Sequence, residues 1–289
     1  MVSAIITTHN RPELLKRAIE SVLHQTYKDI ECIVVDDNSS DNTKDICSQY
    51  SVNYIYIPPN ESKGGNYARN LGIKASNGDY CAFLDDDDYW EPEKIEKQLY
   101  LIKKNDSEFV HCGRRLEIVK NNYVYYKDKM PRSSHGGDMH KRVLFTICTT
   151  TSCIMCKRLA LIEVGLFDEN LKFWQEYELT IRLAQRKPFC FVNEPLTIYR
   201  VDTMDKNRLT NKFFAWKEAV AYVYRKHYVL YHQLNIVDRI AVRMMFLNDA
   251  RHRTKAAKLY LRYIILYVIS IPARFYLYIR ERMSLLQLF

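Results

Sequence analysis

The 289-residue chain has only eight glycines, and none falls in a G-x-G-x-x-G or G-x-x-x-x-G-K pattern after a predicted strand. Dinucleotide oxidoreductases and Walker-type nucleotidases cradle phosphates on such loops, so their absence weighs against both. Membrane-spanning length is also lacking near the C-terminus. The uncharged run 263–273 has eleven residues between Arg262 and Arg274, against the roughly 20 a crossing helix needs. No basic segment followed by a signal-type apolar stretch opens the chain, because Val2 to Thr8 already reads as a strand. The eight cysteines show no framework spacing. The one C-x-x-C, Cys153 and Cys156, has no second pair and no nearby histidine, so it reads as two residues of one strand rather than a zinc site. A reducing cytoplasm suits this usage.

What is present is unevenly charged. Residues 1–212 carry 30 Lys+Arg against 30 Asp+Glu, and residues 213–289 carry 13 against 4, so the whole +9 excess lies at the C-terminal end. Two functional regions are therefore expected, one over 1–212 and a basic, tyrosine-rich helical extension over 213–289. Within the first, 1–105 forms one half and 106–212 the other. At 47% hydrophobic residues such a chain buries a full core.

The first half alternates strand and helix. Val2–Thr8, Ile30–Val35, Val52–Ile57 and Tyr80–Leu84 read as strands, and helices are expected near 12–23, 43–50 and 67–75, the rhythm of a parallel sheet with crossover helices. Asn10 or a neighbour is expected to cap the first helix, with Pro12 in its first turn. The fourth strand runs straight into Asp85-Asp86-Asp87-Asp88, and the second into Asp36-Asp37. Both acidic groups then lie at the carboxyl edge of one sheet, where open α/β folds bind ligands. Clustered carboxylates repel one another unless a cation or donors compensate them, and oxygen-only sites suit Mg²⁺ or Mn²⁺. Taken alone, an Asp run is equally consistent with a solvated turn before the helix that starts near Pro92.

The successive motifs Thr7-Thr8-His9-Asn10-Arg11, Val34-Val35-Asp36-Asp37-Asn38-Ser39-Ser40-Asp41, Gly65-Asn66-Tyr67-Ala68-Arg69-Asn70-Leu71-Gly72 and Phe83-Leu84-Asp85-Asp86-Asp87-Asp88-Tyr89-Trp90 closely resemble, in order and spacing, those of family-2 glycosyltransferases. The likeness covers about the first 200 residues. It implies an α/β fold of the glycosyltransferase A type: a single mixed sheet with a parallel centre, flanked by helices. It further implies transfer with inversion from a nucleoside diphosphate sugar to an acceptor hydroxyl, with Mn²⁺ or Mg²⁺ as cofactor.

Carried over by residue, Thr8, Asn10 and Arg11 line the nucleotide pocket, and Asp37, with Asp36, accepts a hydrogen bond from the base. Asp85 and Asp87 match the D-x-D, Asp85 near the ribose and both available to the metal. Asp86 replaces the small residue usual between them and is counted with the donor-binding group. Arg69 matches a basic position near the phosphates, its other reading being a helix-surface cation balancing the aspartates. Val164-Gly165-Leu166-Phe167-Asp168-Glu169 resembles the turn ahead of the acceptor site. Aligned on Leu179 and Arg182, Glu176 stands for the usual catalytic base and Gln175 for the acid before it. Glu178 is the alternative base, since an acid in a helix's first turn is favourable without any catalytic task. Ile198-Tyr199-Arg200 resembles a later motif, but Asp202 stands where a histidine is usual, so a third metal ligand is unassigned.

Between these motifs, strands are expected over 109–115, over 116–126 as a pair joined through Asn121-Asn122, and over 149–157. The segment Ser133–Asp138 is read as a mobile loop, with His135 and His140 facing solvent. The chain is expected to take a glycan or lipid-linked acceptor, UDP-sugar being the favoured donor. The expected setting is the cytoplasmic face of a membrane, held peripherally through residues 213–289, with no nucleic-acid partner. The rivals are a nucleotidyltransferase of related fold, whose Gly- and Lys/Arg-rich loop is missing from Thr8–Pro12, and a non-catalytic module holding metal and membrane.

Overall fold

A computed structural model describes residues 1–121, 123–204, 213–253 and 257–286. The expected boundary at residue 212, and Asn122 of the expected turn, lie outside them. The chain divides into two compact units, one of Met1–Met139 with Cys148–Asp205 and the other of His140–Ile147 with Lys206–Phe289. The sequence alone gave no sign that the short stretch His140–Ile147 groups with the C-terminal helices.

In the first unit, strands β1 (Val2–Thr8), β2 (Ile30–Asp37), β3 (Asn53–Ile57) and β4 (Tyr80–Asp85) alternate with helices α1 (Pro12–Leu23), α2 (Thr43–Ser48) and α3 (Gly65–Ala75). There follow β5 (Tyr89–Trp90), α4 (Lys94–Lys104), β6 (Phe109–Lys120), β7 (Tyr123–Lys129), β8 (Ile154–Lys157), α5 (Arg158–Glu163), α6 (Gln175–Leu183) and β9 (Cys190–Asp202). The sheet order is β3-β2-β1-β4-β8-β6-β9-β5, with β7 paired to β6. β3, β2, β1 and β4 are parallel, β8 runs antiparallel to both β4 and β6, and β9 is parallel to β6. The expected mixed sheet with a parallel centre is thus what forms.

Strand alternation explains the layers. Val2, Ala4 and Ile6 of β1 face the stripe Leu15, Ala18, Ile19 and Val22 of α1 in one buried cluster, the spacing of an amphipathic helix meeting the period of two of a strand. α3 lies close against the sheet because Gly72 has no side chain there. A Cβ at that position would stand 2.5 Å from Cγ2 of Ile5.

Several local expectations are corrected. The 109–120 stretch is one long strand, because its pairing with β9 continues through a bulge at Cys112–Arg114. The 149–157 stretch opens with a 3-10 turn over Thr151–Cys153 before β8 begins. Asn10 does not cap α1. It adopts a left-handed conformation (φ 52°), and its Oδ1 accepts instead from the backbone N–H of Ser40. The Ser133–Asp138 segment is tied to the sheet by reciprocal backbone bonds between Gly137 and Phe189, at 2.8 and 2.9 Å. His135 is half-buried there, its carbonyl bonded to His111 at 2.9 Å, while His140 is exposed.

The second unit is helical: α7 (Phe213–Lys226), α8 (Tyr228–His232), α9 (Ile236–Arg253), α10 (Ala257–Ile269) and α11 (Ile271–Leu286). Ser270, fully buried between the last two, donates to Sδ of Met244 at 3.0 Å and so fastens their elbow to α9.

Candidate active site

Parallel register puts three strand ends level. Thr8 of β1 pairs with Asp36 of β2, and Thr7 pairs with Asp85 of β4. The carboxylates of two sequence motifs are thereby gathered at one edge, and most of their oxygens are already engaged. Asp86 is buried, receiving bonds from Thr8 Oγ1 (2.9 Å), the His9 N–H (3.3 Å) and Arg11 Nη1 (3.1 Å). Burial raises its pKa to about 6 despite Arg11. Arg11 also reaches Asp87 at 3.2 Å. Asp88 is buried deeper, bonded by Ser152 Oγ at 2.6 Å and the Arg200 N–H at 3.0 Å, and burial pushes its proton affinity well up.

At the next strand end the two aspartates differ. Asp36 is buried with its oxygens accepting from the Ser39 N–H (2.8 Å) and the Tyr54 hydroxyl (2.7 Å). Asp37 has an oxygen, Oδ1, shielded from solvent yet without a hydrogen-bond partner. A buried acceptor left unbonded costs about 1–3 kcal/mol, which a donor on a bound molecule would recover.

Arg69 is buried, so its guanidinium is no helix-surface cation. Nη2 donates to Asp85 at 2.6 Å and Nη1 to Gln175 Oε1 at 2.9 Å. The chain Asp85–Arg69–Gln175 joins the acidic strand end to the first residue of α6, 90 positions later in sequence. There the backbone is strained: Trp174, a buried aromatic, takes φ 55° and ψ 32°, a left-handed conformation uncommon for a bulky side chain and concentrated at functional sites. Glu176 follows, half-buried, its proton affinity raised by burial and moderated by Arg69. Glu178 is fully buried and held by Arg182 Nε and Nη2 at 3.0 and 2.6 Å. Burial and that pairing commit Glu178 to the protein core and leave Glu176 as the partly exposed acid at the start of α6.

The side chains of Asp85 and Asp87 keep 32% and 35% of their surface open. Two solvent-reached carboxylates fit the way Mg²⁺ or Mn²⁺ is held through one or two acids, with water and phosphate oxygens completing the shell. Among the described residues no three His, Cys, Asp or Glu side chains converge to form a complete cage. Asp202, at the position of the missing histidine, lies 3.6 Å from Arg200.

Sequence reasoning passed over Ser152 and Glu117. Ser152 Oγ accepts from the Asp85 N–H at 3.1 Å while donating to Asp88, so it positions the whole acidic turn. Glu117, buried in β6, is bonded by Arg17 (3.1 Å) and Tyr89 (3.2 Å), and Arg17 in turn donates to the Asp87 carbonyl at 3.1 Å. An acid inside the apolar alternation Leu116–Val119 was the available signal for Glu117. A lone serine beside Cys153 offered none.

The profile described as Glycosyl transferase family 2 matches residues 3–165, more than half of the chain. The chain belongs to glycosyl transferase family 2. An uncharacterized glycosyltransferase of Rickettsia typhi is 33% identical over 216 residues, covering 73% of this chain and 68% of that protein. The UDP-Glc:alpha-D-GlcNAc-diphosphoundecaprenol beta-1,3-glucosyltransferase WfgD of Escherichia coli is 38% identical over 133 residues, 46% of this chain and 52% of that one. Among solved structures, TarS 1-349 of S. aureus in complex with UDP-GlcNAc superposes with a TM-score of 0.57 at 15% identity, covering 88% of this chain and 81% of that one. The mannosyltransferase PcManGT of Pyrobaculum calidifontis in complex with GDP-Man and Mn²⁺ gives 0.56 at 15%, covering 95% and 82%. At those identities the two structures show the shared fold alone. The matched region, residues 3–165, contains the acidic edge and ends before α6 begins.

Proposed function

We propose that this glycosyltransferase moves a sugar from a UDP-sugar to a hydroxyl of a glycan or lipid-linked acceptor, with inversion at the anomeric carbon, in cell-surface polysaccharide synthesis. The observation that carries the reading is the Asp85–Arg69–Gln175 chain, because it sets a carboxylate edge suited to a metal-bound diphosphate beside an acid suited to accept a proton. The UDP-Glc donor and the GlcNAc-diphosphoundecaprenol acceptor of the E. coli relative WfgD support the substrate classes. Asp37 accepts from the base through its unbonded oxygen, and Asp36 shapes the loop behind it. Arg11 and Arg69 keep the aspartate side chains apart and oriented. Asp85 and Asp87 would hold Mn²⁺ or Mg²⁺, which when bound supplies charge neutralisation for the leaving diphosphate. Glu176 takes the acceptor's proton as the hydroxyl attacks, and burial gives it the proton affinity a general base needs.

Residues 213–289 hold the enzyme on the cytoplasmic face of a membrane in this reading. Leu261, Ile264, Ile265 and Val268 recur at helical spacing on α10, as do Ile271, Phe275, Tyr278 and Ile279 on α11, and all are exposed. No single described helix is long and apolar enough to cross a membrane, though Leu261–Ile269 and Ile271–Arg280, bent by 60°, reach that length together. The basic flanks Arg262 and Arg274 favour a pair of helices lying in the interface of an anionic bilayer.

A thermal-shift screen of nucleotide sugars with and without Mn²⁺ tests the catalytic reading, since a specific ligand stabilises by mass action. A UDP-sugar with Mn²⁺ is expected to raise Tm, and Asp87→Asn to remove the Mn²⁺-dependent part while leaving the unliganded Tm near its original value. Stabilisation by no nucleotide sugar, or full activity in EDTA, overturns it.

A further inference from the structure

The helical unit contains a cavity of about 630 Å³ walled by α7, α8 and α9, within the range of about 300–1,000 Å³ common for small-molecule sites. Its floor is apolar, built from Val220, Leu234, Val242 and Phe246, and one wall is Tyr231 with Tyr224 stacked on it at 4.8 Å. Its polar lining is almost wholly cationic: Lys217, Arg225, Arg239 and Arg243, with no carboxylate among the lining residues. Arg239 is partly spent, donating to the carbonyls of Leu234 and His232 where α8 ends. Lys217, Arg225 and Arg243 are exposed and take part in no ion pair among the described residues. The acid on the neighbouring turn, Asp238, is buried and already neutralised by Arg280 at 3.0 Å, so it does not cancel the field at the mouth.

Three uncompensated cations around an apolar hollow call for a ligand with both characters. A free phosphate would leave the floor unused, and a neutral lipid would leave the cations unused. Guanidinium groups match phosphate oxygens in geometry as well as charge. We propose that this cavity binds the phosphate-bearing end of an isoprenoid or alkyl diphosphate, the cations taking the phosphates and the apolar floor the first carbons of the chain. Its role as the seat for the lipid end of the acceptor rests on the transfer proposed above. Its binding does not.

The test is calorimetric titration of the full-length protein with farnesyl diphosphate, and with inorganic pyrophosphate and farnesol as controls. Farnesyl diphosphate is expected to bind at least about tenfold more tightly than either control, each of which satisfies only half of the site. The double substitution Arg225→Ala/Arg243→Ala and the occluding Ala221→Trp, all at exposed positions, are each expected to weaken that binding by at least about tenfold, the size of a lost charge-assisted bond. Hydrolysis of the UDP-sugar in the absence of acceptor stays at the wild-type rate in both variants, while KM for a lipid-linked acceptor rises at unchanged kcat. Equal affinity for pyrophosphate, no binding of farnesyl diphosphate, or wild-type binding by both variants overturns the proposal. A protein that binds farnesyl diphosphate as described yet neither hydrolyses nor transfers any nucleotide sugar keeps the cavity assignment and refutes the proposed reaction.

Discussion

The sheet edge and the C-terminal helices treat charge and apolar surface in opposite ways. At the edge, buried ions have partners: Asp86 has Arg11 and Thr8, Asp88 has Ser152 and Arg200, Arg69 has Asp85 and Glu178 has Arg182. In the helices, apolar side chains stand in water, Ile269 at 68% and Phe275 at 65% exposed, and Lys217, Arg225 and Arg243 around the cavity make no ion pair among the described residues. A buried charge must be compensated within the fold because water cannot do it. Exposed apolar area carries no such local penalty beyond hydration, and contiguous patches of it mark surfaces that something else covers. In the proposed reading the first region lacks only its ligand, and the second is completed by an anionic bilayer.

The largest effect expected along this contrast separates two acids on one helical turn. Glu176→Gln keeps shape and removes proton acceptance, so kcat should fall by roughly 10²–10⁴ with donor affinity little changed. Because burial raises the Glu176 pKa, the acid limb of the wild-type pH–rate profile should lie above the ordinary carboxylate range. Glu178→Gln should instead lower stability, on the order of 1–3 kcal/mol, by weakening the bonds from Arg182. If steady-state kinetics and denaturant unfolding return the reverse assignment, the division of labour on α6 is wrong.

A middling effect concerns the cost of the compensated edge. Asp86 rises from its ordinary 3.8 to about 6 when folded, so the folded protein holds that proton more tightly than the unfolded chain. Its stabilising contribution is full below the unfolded value and is lost as pH rises through about 6, the opposite of a salt-bridged carboxylate with a lowered pKa. Without ligands, stability should therefore decline between pH 4 and 7 by about 1–3 kcal/mol from this group, and Asp86→Asn should flatten that decline. Urea unfolding at several pH values measures it, and an unchanged slope in the variant refutes it.

The smallest effect falls on the helices. Wild-type protein should float with vesicles containing anionic lipid and release as salt is raised, since exposed cations are screened within about 10 Å at 0.1 M. Phe275→Asp with Ile264→Asp should reduce flotation severalfold without altering hydrolysis of the donor. Equal flotation by both proteins would reassign that face, with sedimentation then asking whether a second copy covers it.

Much of the site was readable because it obeys local rules. An apolar strand that ends in aspartates, repeated at Val35 and Leu84, places carboxylates at a sheet edge whatever the surroundings, and period and spacing are properties of the chain itself. The family resemblance rested on these two stretches together with residues 7–11 and 65–72. Their exposure was not legible: nothing in Asp85-Asp86-Asp87-Asp88 reveals that the second and fourth are buried while the first and third stay open. That alternation follows from how the turn meets Thr8, Arg11 and Ser152.

The sequence by itself determined the alternation of strands and helices, the order of the parallel strands' motifs, the concentration of positive charge after residue 212 and the acidic strand ends, because each is set within a window of a few residues. Only the tertiary structure decided that Arg69 bridges Asp85 to Gln175, that Glu178 is spent on Arg182 while Glu176 is not, that Asp37 rather than Asp36 keeps an unbonded oxygen, and that Lys217, Arg225 and Arg243 ring one hollow. Those outcomes depend on which side chains from distant segments arrive at the same point and desolvate one another, and that proximity is fixed by packing across the sheet and between helices.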